Sequence, residues 1–177
     1  TGLAKVQEDR AVAHLGFGFR GYPEAVSRRQ AGSWMYGINA VWDLDATRGH
    51  QRLSIGGEFA TERFSLSGNV YSRLTGWRNS RDFSGGYAQE RPANGFDLNG
   101  KVFLPQRAGL GKAAVAGTVA HWEGRDASPF GSPSTRENSP WIYSLGLEWQ
   151  PVPAFTASLK HSITDGGHSD TQAKLAF

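Results

Sequence analysis

Wherever the chain turns apolar it does so at every second residue, and the i, i+3, i+4 spacing of an amphipathic helix almost never occurs. Phe64, Leu66, Gly68 and Val70 share one side of an extended segment, and Ser65, Ser67 and Asn69 share the other. Phe96, Leu98, Gly100, Val102 and Leu104 oppose Asp97, Asn99 and Lys101 in the same way, as the pleat of a strand requires. Trp141, Tyr143, Leu145, Leu147 and Trp149 oppose Ser144, Gly146 and Glu148. Towards the end, Phe155, Ala157 and Leu159 oppose Thr156, Ser158 and Lys160, and Ala173, Leu175 and Phe177 oppose Gln172 and Lys174. Residues 13–19, 36–42 and 53–59 alternate alike, whereas residues 113–122 carry small side chains on both faces and leave the inward side undecided. The pattern predicts nine strands, with residues 1–7 as the stub of a tenth.

The connections alternate too, in length. Residues 60–63, 105–111 and 150–153 are tight, while 75–95 and 124–140 are long and rich in Gly, Ser, Asn, Asp and Arg. Residues 21–32 are long on the short side and 43–49 short on the long side. A transmembrane barrel has short periplasmic turns, longer outer loops, and strands of about 10 residues that meet lipid and lumen alternately. With the tight turns set at the periplasmic rim, Phe19, Phe59, Phe64, Trp149, Phe155 and Phe177 fall there, and Trp42, Phe96, Trp141 and Tyr143 fall at the outer one. These form two aromatic girdles. The polar face carries Glu58, Asp97, Lys101, Glu148, Lys160 and Lys174, which a dry core would hold only at several kcal/mol per unpaired ion, so that face is wet or densely paired. A soluble sandwich or lipocalin-like barrel also alternates, but turns a Leu, Val and Ile face inward rather than setting aromatics at strand ends.

Composition fits this pattern once the two faces are separated. The mean hydropathy of −0.46 averages an apolar belt with a polar lumen. No run approaches the roughly 18 apolar residues of a membrane-spanning helix, so a helical membrane protein is excluded. The absence of cysteine removes disulfides and thiolate metal sites. A formal charge of +3, with 19 basic residues scattered among 16 acidic ones, gives no nucleic-acid footprint. The five histidines lack metal-site spacing, and Asp43 and Asp45, although a D-x-D pair, enter a turn where Asp commonly bonds nearby backbone. Gly-rich GFGFRG and SIGGEF precede no helix, so their glycines make room beside bulky neighbours, or bend a strand around a barrel, rather than cradle phosphate. Neither a nucleophile elbow nor an acid/base carboxylate pair occurs, and no enzyme or cofactor is expected.

WDLDATRGHQRLSIGGEF, LTGWRNSRDF and ERPANGFDL together closely resemble the intimin/invasin-type inverse autotransporter β-domain. Asp43, Asp45, Thr47, Arg48, Gly49 and His50 carry one signature, and Glu90, Arg91, Pro92, Ala93, Asn94 and Gly95 the other. The likeness runs over essentially the whole chain and implies an antiparallel, twelve-stranded transmembrane β-barrel of the bacterial outer membrane, of which nine to ten strands are present. It further implies a linker that threads the lumen and carries a C-terminal adhesin passenger to the surface. On that reading residues 1–177 are the barrel translocator, lacking the first two strands, most of the third, and the passenger. Implied partners are outer-membrane lipid and lipopolysaccharide, the barrel assembly machinery through a C-terminal signal ending in Phe177, and a receptor only through the passenger. Two open edges would leave about ten unpaired backbone groups each in hydrocarbon, so either further strands complete the cylinder or these rearrange into a smaller closed one. Arg48, Arg78, Arg81 and Arg91 with Asp43, Asp45, Asp82 and Glu90 are expected to pair between loops and brace the mouth. A small porin-like channel stays open as an alternative, with a soluble ligand-binding barrel third.

Overall fold

The computed structural model describes residues 2–5, 11–23, 34–80, 89–106, 111–130 and 135–177. Of residues 2–5 only the backbone is described, and Arg81, Asp82 and the middles of the long connections lie outside the described residues. The elements are β1 (Gly2–Lys5), β2 (Ala11–Gly21), β3 (Trp34–Asp45), β4 (His50–Thr61), β5 (Phe64–Arg73), β6 (Arg78–Asn79) and β7 (Gln89–Glu90). They continue with β8 (Asn94–Phe103), β9 (Lys112–Glu123), β10 (Trp141–Val152), β11 (Phe155–Thr164) and β12 (Ser169–Ala176). All but β6 and β7 join one antiparallel sheet in chain order, β1-β2-β3-β4-β5-β8-β9-β10-β11-β12, and β6 and β7 make a separate two-stranded ribbon. The nine predicted strands are β2–β5 and β8–β12, and the stub is β1. Among the described residues no ladder joins β12 to β1.

The two faces separate as the alternation requires. Buried apolar residues among the described ones are few, Ala114, Ala120, Ile142 and Pro140, so there is no hydrophobic core in the ordinary sense. Phe17, Ile38, Ile55, Val70, Leu98, Leu145 and Leu175 instead stand exposed on one side, Phe17 at 74% and Leu145 at 65%. The undecided segment resolves through its register: Val102 faces Val115 and Leu98 faces Val119, which puts Val115, Val119 and His121 on the apolar side and Thr118 and Trp122 on the polar one.

The polar face is hydrogen-bonded from strand to strand. Arg20 Nε donates to Glu58 Oε1 at 2.6 Å, and Lys101 Nζ to Glu148 Oε2 at 2.8 Å. Asp97 collects Tyr71 Oη at 2.5 Å, Asn69 Nδ2 at 2.9 Å and Asn99 Nδ2 at 2.6 Å, and Thr118 Oγ1 donates to Asn99 Oδ1 at 2.8 Å. Ser144 and Ser162 meet at 2.8 Å. Lys160 and Lys174 lie exposed on the last two strands. Gly56 makes the room foreseen for a neighbour: a Cβ there would stand 2.1 Å from Asn69 Oδ1.

Two strand ends differ from the pattern. The 150–153 connection is partly strand, because β10 runs on through Pro151 to Val152 with a register shift between Trp149 and Val152. Proline has no N–H to give the ladder, and a bulge accommodates that. Thr61 Oγ1 closes the turn into β5, accepting N–H groups from Arg63 at 3.2 Å and Phe64 at 3.1 Å. At one end of the sheet lie connections 46–49, 74–93, 124–140 and 165–168, and at the other 22–33, 62–63, 104–111 and 153–154. The 165–168 turn is a further short connection on the long-loop end.

A charge on the apolar face should be far less tolerated than one on the polar face. Leu145→Arg in the full-length protein is expected to lose about 2–4 kcal/mol in a urea titration in lipid vesicles followed by heat-modifiable migration. Gln172→Arg, on the polar face of β12, is expected to stay within about 0.5 kcal/mol; equal losses would contradict this assignment of faces.

Candidate functional site at the long-loop rim

The turn between β3 and β4 is built by its own side chains. Asp45 Oδ1 accepts the N–H groups of Thr47 at 3.1 Å and Arg48 at 3.0 Å, and Asp45 O accepts that of Gly49 at 2.7 Å. Gly49 sits at φ 71°, a left-handed conformation open to glycine, and Arg78 Nη1 lies 2.7 Å from where a Cβ would stand. Thr47 Oγ1 accepts from the N–H of Ala11 at 2.8 Å, tying the turn to the start of β2. Asp45 is thus the backbone-capping Asp that its position predicts.

Asp43, two residues back on the same face, gathers the neighbouring strands. Its carboxylate meets His14 Nδ1 of β2 at 2.6 Å and Arg52 Nη2 of β4 at 2.9 Å. The Arg52 guanidinium lies 4.5 Å above the Tyr71 ring and 5.7 Å from that of Trp122, and those two rings are 5.1 Å apart. One cation therefore binds a carboxylate in its plane and aromatic faces across it, the geometry suited to arginine.

The second signature comes in on the β6–β7 ribbon, where Arg78 pairs with Glu90. Glu90 Oε1 lies 3.3 Å from Arg48 Nε and 3.5 Å from His50 Nε2, and Ser80 Oγ donates to Glu90 Oε2 at 3.0 Å. Thr75 Oγ1 receives the N–H of Gln51 at 3.0 Å and stands 3.4 Å from His50 Nδ1. The long connection is thereby fastened to the short turn by the expected inter-loop ion pairing, through Arg48 and Glu90. Arg91 instead lies over the Trp77 ring at 4.3 Å. Pro92 and Ala93 lie in the link into β8, and Asn94 Oδ1 accepts from the N–H of Arg73 at 2.9 Å. At Gly95 a Cβ would lie 2.2 Å from His121 O and 2.6 Å from the Trp122 ring, so only glycine lets β8 approach there.

His14, Asp43, Asp45, Arg48, His50, Arg52, Glu90, Arg91 and Pro92 line a cavity of about 310 Å³. Its three arginines and three carboxylates balance, and among the described residues no group of three or more metal-ligating side chains converges. Such a set can brace loops and bind a polar segment; it offers no activated nucleophile. His14, Arg52, Tyr71 and Trp122 were not anticipated from sequence. The available signal was phase: Tyr71 and Trp122 are aromatics that fall among the polar-face residues of their strands.

The aromatic residues at strand ends fall into two sets. At the short-turn end a run Phe19–Tyr36–Trp34–Phe59–Phe64 crosses β2 to β5 with ring centroids 5.6–6.5 Å apart. Trp149 and Phe155 lie at the same end of β10 and β11, and Phe177 follows β12, fully exposed. At the long-loop end Trp141 packs edge-on to Phe96 at 5.6 Å, stacks on His121 at 4.7 Å, and lies parallel to Tyr143 at 6.5 Å. Trp42 stands apart from these, its Nε1 donating to Gln51 Oε1 at 3.3 Å.

A continuous antiparallel wall with an apolar outer face, a polar inner face and aromatic ends is that of an outer-membrane β-barrel protein. The chain belongs to the inverse autotransporter β-domain family, whose family model it matches over residues 2–177. It is 33% identical to the invasin of Yersinia enterocolitica over 169 residues, 96% of this chain and 19% of that protein. It is 31% identical to the inverse autotransporter adhesin YeeJ of Escherichia coli K12 over 170 residues, 96% of this chain and 7% of that protein. A solved chain from a study of in-meso crystallization of membrane proteins superimposes with a TM-score of 0.79 at 27% identity, covering 95% of this chain and 64% of that one. The chain thus spans under a fifth of the length of these two relatives. Proteins of this family reside in the outer membrane of Gram-negative bacteria, and the domain is an anchor for an adhesin, not an enzyme.

Arg48 and His50 are nearly buried beside Glu90, so removing that carboxylate takes one counter-charge from the Arg48 guanidinium and opens a gap beside His50. Glu90→Ala is expected to destabilise the folded domain by about 1–3 kcal/mol. Gly95→Ala should act in the same direction, because β8 must move off His121 and Trp122. Thermal unfolding of the full-length protein in detergent, read by heat-modifiable migration, measures both; parental stability in both variants would contradict a bracing role.

Proposed function

We propose that this β-domain both anchors and exports a C-terminal adhesin passenger, with the long-loop end outside the cell. The observation that carries the reading is the braced rim above a self-satisfied polar wall. Glu90 fastens the long connection to the β3–β4 turn, and Asp43 ties β2, β3 and β4 together beneath it. Below the rim, Arg20 pairs with Glu58 and Lys101 with Glu148, so few polar-face charges are left to hold a passing polypeptide tightly. A wetted, internally paired wall suits an extended hydrophilic linker, which must enter and stay without being trapped.

Residues 1–177 are then part of a translocator barrel, and the adhesive domains belong to other sequence. Among the described residues β1 and β12 each leave one row of backbone groups unpaired, at several kcal/mol per group in hydrocarbon, so on this reading further strands complete the cylinder between them. Lipid and lipopolysaccharide cover the apolar face and its aromatic ends. The barrel assembly machinery reads the last strand through Leu175 and Phe177, and a receptor is met only by the passenger. That a relative is an adhesin many times longer than this chain supports the division of labour.

Arg91→Ala frees Trp77 and loosens the second signature loop. Passenger display on intact cells is expected to fall several-fold, with a lower unfolding temperature; unchanged display together with unchanged stability would count against the bracing role. In planar bilayers the full-length protein is expected to be plugged by its linker, whereas a steady open pore would favour a small porin-like channel.

A further inference from the structure

The terminal hairpin has one attachment that the order of strands does not supply. β12 is eight residues long, touches only β11 within the sheet, and is exposed along almost its whole length. Its turn, residues 165–168, is nevertheless held from the far side of β10. Glu137, in the connection between β9 and β10, accepts a hydrogen bond from the Thr164 hydroxyl and another from the N–H of Gly166 at 3.3 Å. His168 Nε2 lies 3.7 Å from the same carboxylate, whose side chain is only 10% exposed. The fit is close: a Cβ on Gly166 would stand 2.5 Å from the Glu137 carboxyl carbon.

Both partners of this contact are themselves fixed. Glu137 exchanges reciprocal backbone hydrogen bonds with Ala127 at 2.8 and 2.9 Å, and the N–H of Ser139 binds Gly124 O at 2.8 Å. On the other side Thr164 is buried, its hydroxyl accepts the N–H of His168 at 3.1 Å, and its carbonyl accepts that of Gly167 at 3.1 Å. Asp165 Oδ1 adds a bond from the N–H of Trp141 at 3.0 Å. Among the described residues the hydrogen bonds this nearly buried carboxylate accepts come from the terminal hairpin, and Glu137 is not among the residues that line the rim cavity.

We propose that Glu137 is a registration pin for the closing edge: it fixes the long-loop end of the β11–β12 hairpin, so that β12 presents its unpaired edge in one register to the strand that joins it. The need is physical. A slip of one residue between paired strands turns every side chain to the wrong face, and β12 has a single ladder to resist it. Pinning the turn from outside the hairpin removes that freedom before the second ladder forms.

The test uses the full-length protein carrying Glu137→Ala. Amide exchange across residues 169–176 is expected to quicken at least tenfold in detergent, with exchange across 50–61 unchanged. Refolding into phospholipid vesicles should yield the heat-modifiable form several-fold more slowly. Parental exchange and refolding would overturn the proposal, and so would an equal loosening of every strand, which marks a general stabilising contact. Should Glu137→Ala fail to fold, Gly166→Ala keeps the carboxylate while driving the turn away from it, and the same local quickening is required of it.

Discussion

Hydrocarbon offers a backbone N–H or C=O no partner, and the rest of this molecule follows from that constraint. Each interior strand bonds a neighbour on both sides, from β2 through to β11, with one bulge at Pro151. With the ladders committed, side chains can only divide between two faces, and period 2 is forced on the sequence. The inversion of an ordinary protein follows too: leucines, valines and phenylalanines stand outward, and the charges turn in and find one another. Pairing on the polar face then ties strands together across the wall, since Asp97, Glu58 and Glu148 each bond a side chain of another strand.

This division explains what could be read from the sequence. Alternation set out the nine long strands and most of their faces, because every position in a wall reports which side it is on, and residues 1–7 read as the stub of a tenth. Residues 113–122 resisted, since alanines and glycines satisfy either face and only pairing with β8 and β10 decides. The β6–β7 ribbon was invisible for a different reason. Two-residue strands have no period, and Gln89–Glu90 is held by what it meets rather than by what it contains. The rim residues were legible as a family signature and as a set of opposite charges. Which charge takes which partner was not: Arg91 finds an indole, and Arg52, outside both signatures, takes the carboxylate of Asp43. Glu137 and Thr164, 27 positions apart, are brought together by the β9–β10 connection folding over β10, and no local pattern announces that.

The two ends of the sheet are therefore unlike. At the short-turn end aromatic rings from consecutive strands lie against one another, and the turn into β5 is closed by a single threonine hydroxyl. At the long-loop end the connections are cross-tied through Thr47, Glu90 and Glu137, each of which bonds backbone or side chains of another element. Long connections cost more conformational entropy to order than tight turns do, so the side-chain fastening is concentrated where the chain has most freedom to lose.

The alternating wall has a bearing on descent. A position on the apolar face in mid-strand is asked mainly to be apolar, so Leu, Ile, Val and Phe can replace one another with little effect on pairing. That is how a chain only 27% identical to a solved one still superimposes with a TM-score of 0.79. The rim is less permissive, because a capping Asp, a left-handed Gly and a carboxylate facing both an arginine and a histidine each admit few substitutes.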